Sequence, residues 1–397
     1  VSVTYPKGFA AGGVTAGFKP SGHPDLALLV GQAGTTAAAL FTTNAVQAAP
    51  VVLSRSRIDG GSGRAVLVNS GQANAATGDR GMDDAVRATE AAAKLLDLEV
   101  GDVLMCSTGV IGEPLHLDDL IAALPELAGS LSPSGGESFA QAILTTDTTP
   151  KSATAEAGPY KVGGCAKGVG MISPNLATML AFVTTDARVA KHHLDLLARE
   201  RLAPLFNSFT VDGCTSTNDT VMVFASGAGG DEAVVPGSAP WDGLTEAFDE
   251  VGRSLVSQLI GDAEGATHVI LVDVDGASDD AEARAIARAV ADSLLVKTAV
   301  FGGDPNPGRI LQAVGSSGAG VVPERLDVWI ADIPVAVAGT IPPAYFAEPT
   351  LREVAKASMA GPEVPIGIRV GDGPGRARVL GCDLSYDYVK INGEYTT

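Results

Sequence analysis

Short, mostly apolar runs recur along the chain at residues 25–30, 65–69, 103–107, 179–184, 269–274 and 326–330. Runs of this length, rich in Val, Ile and Leu, predict strands covered on both faces. Between them the apolar spacing changes to the helical period. Asp83 stands as an N-cap ahead of Ala85, Val86, Ala92 and Leu95, and further helical stretches cover 117–127, 190–205, 241–259 and 278–295. The last opens with acids in its first turn, where the helix dipole favours them. The elements follow no strict βαβ beat, which predicts an α+β or layered α/β sandwich over a doubly wound sheet. Loops at 129–136 and 227–237 read as flexible connectors, and a boundary near 275–280 sets off a smaller C-terminal lobe, roughly 278–397.

The 397 residues suffice for two packed lobes, and a hydrophobic fraction of 46% marks an ordinary globular chain. Forty-eight glycines against 5% aromatics point to tight turns and backbones packed closely together. A net charge of −19, with no cluster of Lys and Arg, argues against a nucleic-acid partner. No apolar run approaches the ~18 residues that span a bilayer, and the first residues lack the pattern of a signal peptide. Cys106, Cys165, Cys214 and Cys382 form no CxxC pair and read as buried small apolar residues in a reducing compartment, so a cytoplasmic location is expected.

Several chemistries are missing. The chain has no GxxxxGK[ST] phosphate loop and no GxSxG elbow. Its histidines (His23, His116, His192, His193 and His268) show no metal-ligand spacing, and no metal is expected. His192 and His193 fall on divergent faces of a predicted helix and read as solvated. Asp273-Val-Asp275-Gly276 lacks the downstream ligands of a calcium loop and reads as a strand end followed by a turn.

What is present centres on residues 163–183, where a Gly-rich loop with one Lys leads through Ser-Pro-Asn to Ala177 and then Thr178, at the head of an apolar strand. If the Ala177–Thr178 peptide breaks, Thr178 gains a free α-amine beside its own hydroxyl. Such an amine, with an ordinary pKa of about 7.7–8.0, serves as a base without histidine. The plainer alternative is a Thr that merely starts a buried strand. Residues 105–112 (Met-Cys-Ser-Thr-Gly-Val-Ile-Gly) run from a strand into a glycine-containing turn. A hydroxyl and a backbone N–H there suit the oxyanion of acyl transfer, worth roughly 3–4 kcal/mol per donor. Taken alone, the same pattern is an ordinary turn.

Together these segments resemble the glutamate N-acetyltransferase (ornithine acetyltransferase) family of arginine biosynthesis, over essentially the whole chain. The matching stretches are 41–44 (FTTN), 48–50 (AAP), 69–74 (NSGQAN), 106–112 (CSTGVIG), 144–148 (LTTDT), 166–171 (AKGVGM) and 174–180 (PNLATML). They continue with 214–220 (CTSTNDT), 262–265 (DAEG), 295–299 (LVKTA), 304–306 (DPN) and the tail 388–397 (YVKINGEYTT). The resemblance implies an αββα-type layered sandwich of the N-terminal-nucleophile kind, with a smaller C-terminal lobe. It implies self-cleavage between Ala177 and Thr178 into an α chain (1–177) and a β chain (178–397), associating as an α2β2 heterotetramer.

By the same resemblance, Thr178 is the nucleophile of a ping-pong reaction that takes acetyl from N2-acetylornithine and passes it to glutamate. No cofactor is implied, although some members also accept acetyl-coenzyme A. Thr108 and Gly109 fall on the oxyanion pair. Thr145 (with Thr146 as the alternative register), Lys167, Glu264, Asn392 and Thr397 fall on substrate contacts. A lysine and hydroxyl or amide donors suit an α-carboxylate, and a glutamate suits the ornithine ammonium. One departure stands out, because Pro307 follows Asp304-Pro-Asn306 where the family carries Trp. If that Trp walls the substrate pocket, the amino acid bound differs; if it only packs, function is unchanged. Three rival readings are a same-fold amidohydrolase or peptidase, a paralogue with another amine acceptor, and a binding protein without turnover.

Overall fold

The computed structural model describes residues 2–61, 63–173, 179–347 and 349–394. They divide into two compact units, one running to Asn207 and including Cys214–Leu259, the other taking Ser208–Gly213 and the chain from Ile260 on.

The first unit holds two sheets. One has the order β1 (Phe9–Val14), β2 (Leu26–Gly31), β4 (Ala65–Gln72), β5 (Val103–Val110). The other has the order β3 (Thr36–Phe41), β9 (Thr220–Ala225), β8 (Leu180–Thr185), β7 (Tyr160–Lys167), β6 (Lys151–Ala157). Neighbours are antiparallel except for the parallel pairs β4–β5 and β8–β9. Side chains alternate across a strand, so an apolar run serves two faces. Ala27, Leu29, Val66, Val68 and Leu104 turn inward to meet Phe182, Met222 and Phe224 of the second sheet. Leu26, Leu28, Leu67 and Met105 turn outward onto Ala85, Ala88 and Ala92 of the helix Gly78–Leu96, and onto Leu120, Leu124 and Leu127 of the helix Leu117–Gly129. On the far side, Gly164 of β7 leaves room for Val251 and Leu255 of the helix Ala239–Gly261. Helix, sheet, sheet, helix is the expected αββα layering.

The second unit is a single sheet in the order β12 (Ile333–Ala336), β11 (Asp327–Ile330), β13 (Glu363–Arg369), β10 (Val269–Ala277), β14 (Gly375–Cys382). Ile286 and Val290 of the helix Asp280–Ala291, Val296 and Val300 of Leu294–Phe301, and Ile310 and Val314 of Pro307–Gly315 pack with Ile270, Val272 and Ile366 of the sheet. The unit thus starts earlier than the lobe expected from about residue 278, because β10 pairs with β13 and β14 and belongs with them.

Other expectations are corrected locally. The helix expected from Asp83 begins at Gly78, and Asp83 is an exposed interior residue 3.6 Å from Arg87 one turn on. The stretch 190–205 is helical but passes through a π turn, Ala198–Leu202, just ahead of Pro204, which lacks the N–H that a regular ladder needs. The stretch 278–295 is two elements. Asp279 caps the first by accepting the Glu282 N–H at 2.9 Å while Glu282 accepts the Ser278 N–H at 2.7 Å; Ser293 caps the next. Loop 129–136 is pinned to β1, since Ser132 and Ala11 exchange two backbone hydrogen bonds of 3.0 Å. Cys214 is exposed, unlike the other three cysteines. His193 is half-buried, its ring edge-on to Trp241 at 5.8 Å.

Asp273 and Asp275 lie on β10 and pair with Arg378 and Arg369 across the neighbouring strands, and Gly276 turns the strand end with φ +80°. Pro307 is buried at the first turn of its helix, behind Asn306, whose Oδ1 accepts the Arg309 N–H at 3.1 Å. A proline suits that position, where its missing N–H is not needed. Among the described residues, no helix is long and apolar enough to cross a membrane.

Candidate active site

The parallel strands β4 and β5 end side by side, with Ser70 opposite Thr108 and Gly71 opposite Gly109. Gly71 and Gly109 both have φ +132°, a conformation that L side chains rarely adopt. A Cβ on Gly109 would fall on the Gly71 carbonyl and 2.7 Å from the Gln72 nitrogen, so only glycine fits there. The turn is braced on the buried side: Ser107 Oγ donates to Asn69 Oδ1 at 2.5 Å, and Asn69 Nδ2 donates to the Gln72 carbonyl at 2.9 Å. Asn218 adds two bonds, from Nδ2 to the carbonyls of Ala73 at 2.6 Å and Ser107 at 2.8 Å.

Sheet register brings Lys167 to this turn. It ends β7, opposite Leu180 of β8, while Lys151 opens β6 opposite the adjacent Ala166. Lys167 is 2% exposed, and its Nζ donates to Thr108 Oγ1 at 3.1 Å and to Thr145 Oγ1 at 2.6 Å. Asp147 ties the group together. Its Oδ1 accepts Lys151 Nζ at 2.6 Å and the Gly168 N–H at 2.8 Å, its Oδ2 accepts the Thr145 N–H at 3.3 Å, and Lys167 Nζ stands 3.9 Å away. Burial alone pushes the Asp147 carboxyl up. The ammonium groups of Lys167 and Lys151 and the Gly168 N–H outweigh that and hold it below the ordinary carboxylate range.

Asp219, just before β9, is the opposite case. It is 0% exposed; Oδ1 accepts the Met179 N–H at 3.0 Å, and Oδ2 has no hydrogen-bond partner among the described residues. Burial pushes this carboxyl well above the ordinary range, and the Met179 N–H, the charge of Lys167 and the Ser216 N–H offset it only in part.

Glu264 and Asn392 meet in the second unit. Asn392 lies on the helix Tyr386–Glu394 and donates from Nδ2 to Glu264 Oε2 at 2.8 Å. Ser385 fixes the start of that helix by accepting the N–H groups of Asp387 and Tyr388 and donating to the Gly265 carbonyl at 2.5 Å. Ala177, Thr178 and Thr397 lie outside the described residues. Asp147, Lys151, Asn218 and Asp219 were not expected as site residues. All but Lys151 stand inside the family-like stretches 144–148 and 214–220, but nothing in their spacing there marks them as partners.

The first-unit cluster has a clear chemical capacity. Because Lys167 donates into Thr108 Oγ1, the hydroxyl hydrogen of Thr108 is left to point elsewhere. That hydrogen and the Gly109 N–H are two donors on one rigid turn, backed by a buried positive charge, an arrangement that suits an oxyanion.

Comparison with known proteins places the chain in a family. Residues 10–397 match the sequence model of the ArgJ family. The arginine biosynthesis bifunctional protein ArgJ of Synechococcus sp. is 45% identical over 403 residues, spanning 100% of this chain and 97% of that protein. The protein of the same name from Parasynechococcus marenigrum is 46% identical over 401 residues, spanning 100% and 95%. A crystal structure of the argJ protein from Bacillus halodurans, 39% identical, aligns with a TM-score of 0.50 over 54% of this chain and 98% of that one. With a match along nearly its whole length, this chain belongs to the ArgJ family.

Proposed function

We propose that the protein, an acetyltransferase of arginine biosynthesis, moves acetyl from N2-acetylornithine to glutamate through an ester on Thr178. The observation that carries this reading is the Lys167–Thr108 hydrogen bond beside a position where only glycine fits. In the reaction, the Thr178 α-amine takes the proton of its own hydroxyl as Oγ1 attacks the acetyl carbonyl. Thr108 O–H and Gly109 N–H receive the oxyanion, the C–N bond breaks, and ornithine leaves with the proton. The glutamate amine then attacks the ester and restores the threonine.

Lys167 and Thr145 are the groups for an α-carboxylate, and Glu264, oriented by Asn392, is the group for the ornithine ammonium; the terminal Thr397 completes the contacts. The active form arises by self-cleavage between Ala177 and Thr178, and chains 1–177 and 178–397 assemble as an α2β2 heterotetramer in the cytoplasm. The solved relative whose chain is 98% covered while matching 54% of this one supports a two-piece enzyme.

The test is the intact mass of wild type beside Thr178→Ala, followed by transfer of labelled acetyl. Scaling 40.1 kDa by residue count, cleavage gives pieces of about 18 and 22 kDa. Two pieces in wild type, one in the variant and label on glutamate are expected. A single wild-type chain, or label released only as acetate, would refute the proposal.

A further inference from the structure

A second lysine is built into the corner that holds Lys167. Lys19 lies in the loop between β1 and β2, and that loop is wrapped round one carboxylate. The N–H groups of Ala16, Gly17, Phe18 and Lys19 donate to Asp25 at 2.6, 3.1, 2.7 and 3.0 Å, and Asp25 is 0% exposed. Successive N–H groups turned onto one anion fix the path of a loop.

The loop is seated on the oxyanion turn. A Cβ on Gly71 would fall 2.8 Å from Phe18 Cβ and 3.0 Å from the Phe18 carbonyl oxygen, so the Phe18–Lys19 peptide packs on the residue opposite Gly109. The Asp25 carbonyl accepts the N–H of Ser70, the residue opposite Thr108, at 2.8 Å. Ser70 Oγ in turn donates to the Ala142 carbonyl at 2.6 Å, three residues before Thr145. Lys19 Nζ donates to the carbonyl of Pro24, next to Asp25, at 2.7 Å. Lys19 thus reaches the corner through Pro24, Asp25 and Ser70, as Lys167 does through Thr108.

Its charge is not matched there. Asp25 is engaged by four backbone N–H groups, Asp147 by Lys151 and Lys167, and among the described residues no carboxylate stands within ion-pair distance of Lys19 Nζ. Burial brings this half-buried ammonium down to about 8; the charge of Lys167 adds to that, while Asp25 and Asp147 pull the other way. Of the other titratable groups here, Asp219 is held well above the ordinary range by burial, and the His116 ring is stacked on Phe18 at 6.2 Å. Three ammonium groups (Lys19, Lys151 and Lys167) therefore meet two carboxylates (Asp25 and Asp147), in a chain whose net charge is −19. A partly desolvated cation short of a counter-charge is stabilised by an arriving anion.

We infer that Lys19 is a second cation for the substrate α-carboxylate, shared with Lys167, and so a specificity residue of the transfer. The inference rests on the reading of Lys167 and Thr145 as the carboxylate groups. It assigns the corner to carboxylates and against the corresponding amides.

The test compares N2-acetylornithine with its carboxamide as acetyl donors. In wild type the carboxamide is the poorer donor. In Lys19→Gln, kcat/KM for the acid falls about tenfold, chiefly through KM, and the penalty for the carboxamide shrinks by the same factor. A penalty as large in Lys19→Gln as in wild type would overturn the inference and leave the transferase standing. A wild type that moves no acetyl removes both. If Lys19→Gln does not fold, the pH dependence of KM for N2-acetylornithine decides. The α-nitrogen of this donor is acylated, and its side-chain ammonium, like that of lysine, titrates near a pKa of about 10.4. In wild type KM rises as pH passes through about 8 and Lys19 loses its charge, whereas Lys19→Arg stays charged and its KM stays level. Profiles that rise in parallel overturn the inference.

Discussion

In the first unit, Lys151, Lys167, Asp147 and Asp219 lie inside a double sheet rich in Gly and Ala. In the second, the acids of β10 stand on a solvated face and pair with Arg369 and Arg378, each more than half exposed. The core of the second unit is aliphatic, and its buried cation Lys297 is satisfied by the carbonyls of Val211 and Cys382. The contrast separates two uses of charge. Across solvated strands a pair adds little and can be lost cheaply, because water replaces either partner. Inside a sheet water cannot, so each buried charge needs its partners, and such groups are kept where chemistry needs them.

The sharpest way to break the comparison is Gly109→Ala. No side chain can move aside, since the obstacle is the Gly71–Gln72 backbone, and the φ is unfavourable as well. A loss of about 4 kcal/mol or more in denaturant unfolding of the first unit is expected, with transfer abolished. A variant as stable as wild type would show that the β4–β5 turn is not rigid.

Next is Lys151→Met, which leaves Asp147 buried with one of its two ammonium partners removed. Breaking a buried pair costs about 3–5 kcal/mol. We expect a loss of that size in denaturant unfolding, together with a raised KM as Lys167 is drawn towards Asp147. A change under ~1 kcal/mol would place this pair with the surface pairs of the second unit.

A smaller and pH-dependent effect is expected at Asp219. Its carboxyl keeps its proton to a higher pH in the folded protein than in the unfolded chain, where the ordinary carboxylate pKa is about 3.9. The stabilising contribution is therefore complete below that value and is lost as pH rises towards the raised folded pKa. Asp219→Asn, facing the same Met179 N–H and Lys167, should gain thermal stability relative to wild type as pH rises through this window. Asp147 has the opposite sign: its lowered pKa gives stability above the ordinary value that is lost as pH falls through the folded one. Parallel melting curves for wild type and Asp219→Asn at every pH would show that Asp219 ionises normally.

The smallest effect is Arg378→Ala, which removes an exposed two-pronged pair with Asp273. At most about 1 kcal/mol should be lost in denaturant unfolding, with kcat and KM for transfer unchanged. A larger loss would erase the distinction between the two units.

How far the sequence could be read differs by element. Every strand expected from an apolar run is present; those of the first unit are buried on both faces, whereas β10 and β11 alternate buried with half-exposed positions and are fully covered on one face only. Helix limits were less legible. Asp83 looked like a cap, and the break at Asp292 was hidden by the apolar spacing continuing across it. Thr108, Gly109, Thr145 and Lys167 were legible through family resemblance, and the structure brings all four to one turn.

The amino-acid sequence by itself determined the strands, the layered class and the family, since patterning and motif order are properties of the chain alone. Only the tertiary structure decided that Lys167 reaches Thr108 and Thr145, that Asp147 holds Lys151 near Lys167, and that the buried Asp219 takes the Met179 N–H. Apart from the Asp147–Lys151 pair, four residues apart, these are contacts across 20 to 59 residues of chain, or shifts of protonation set by burial. Local spacing carries no record of either, because strand register and desolvation exist only once the sheets have packed.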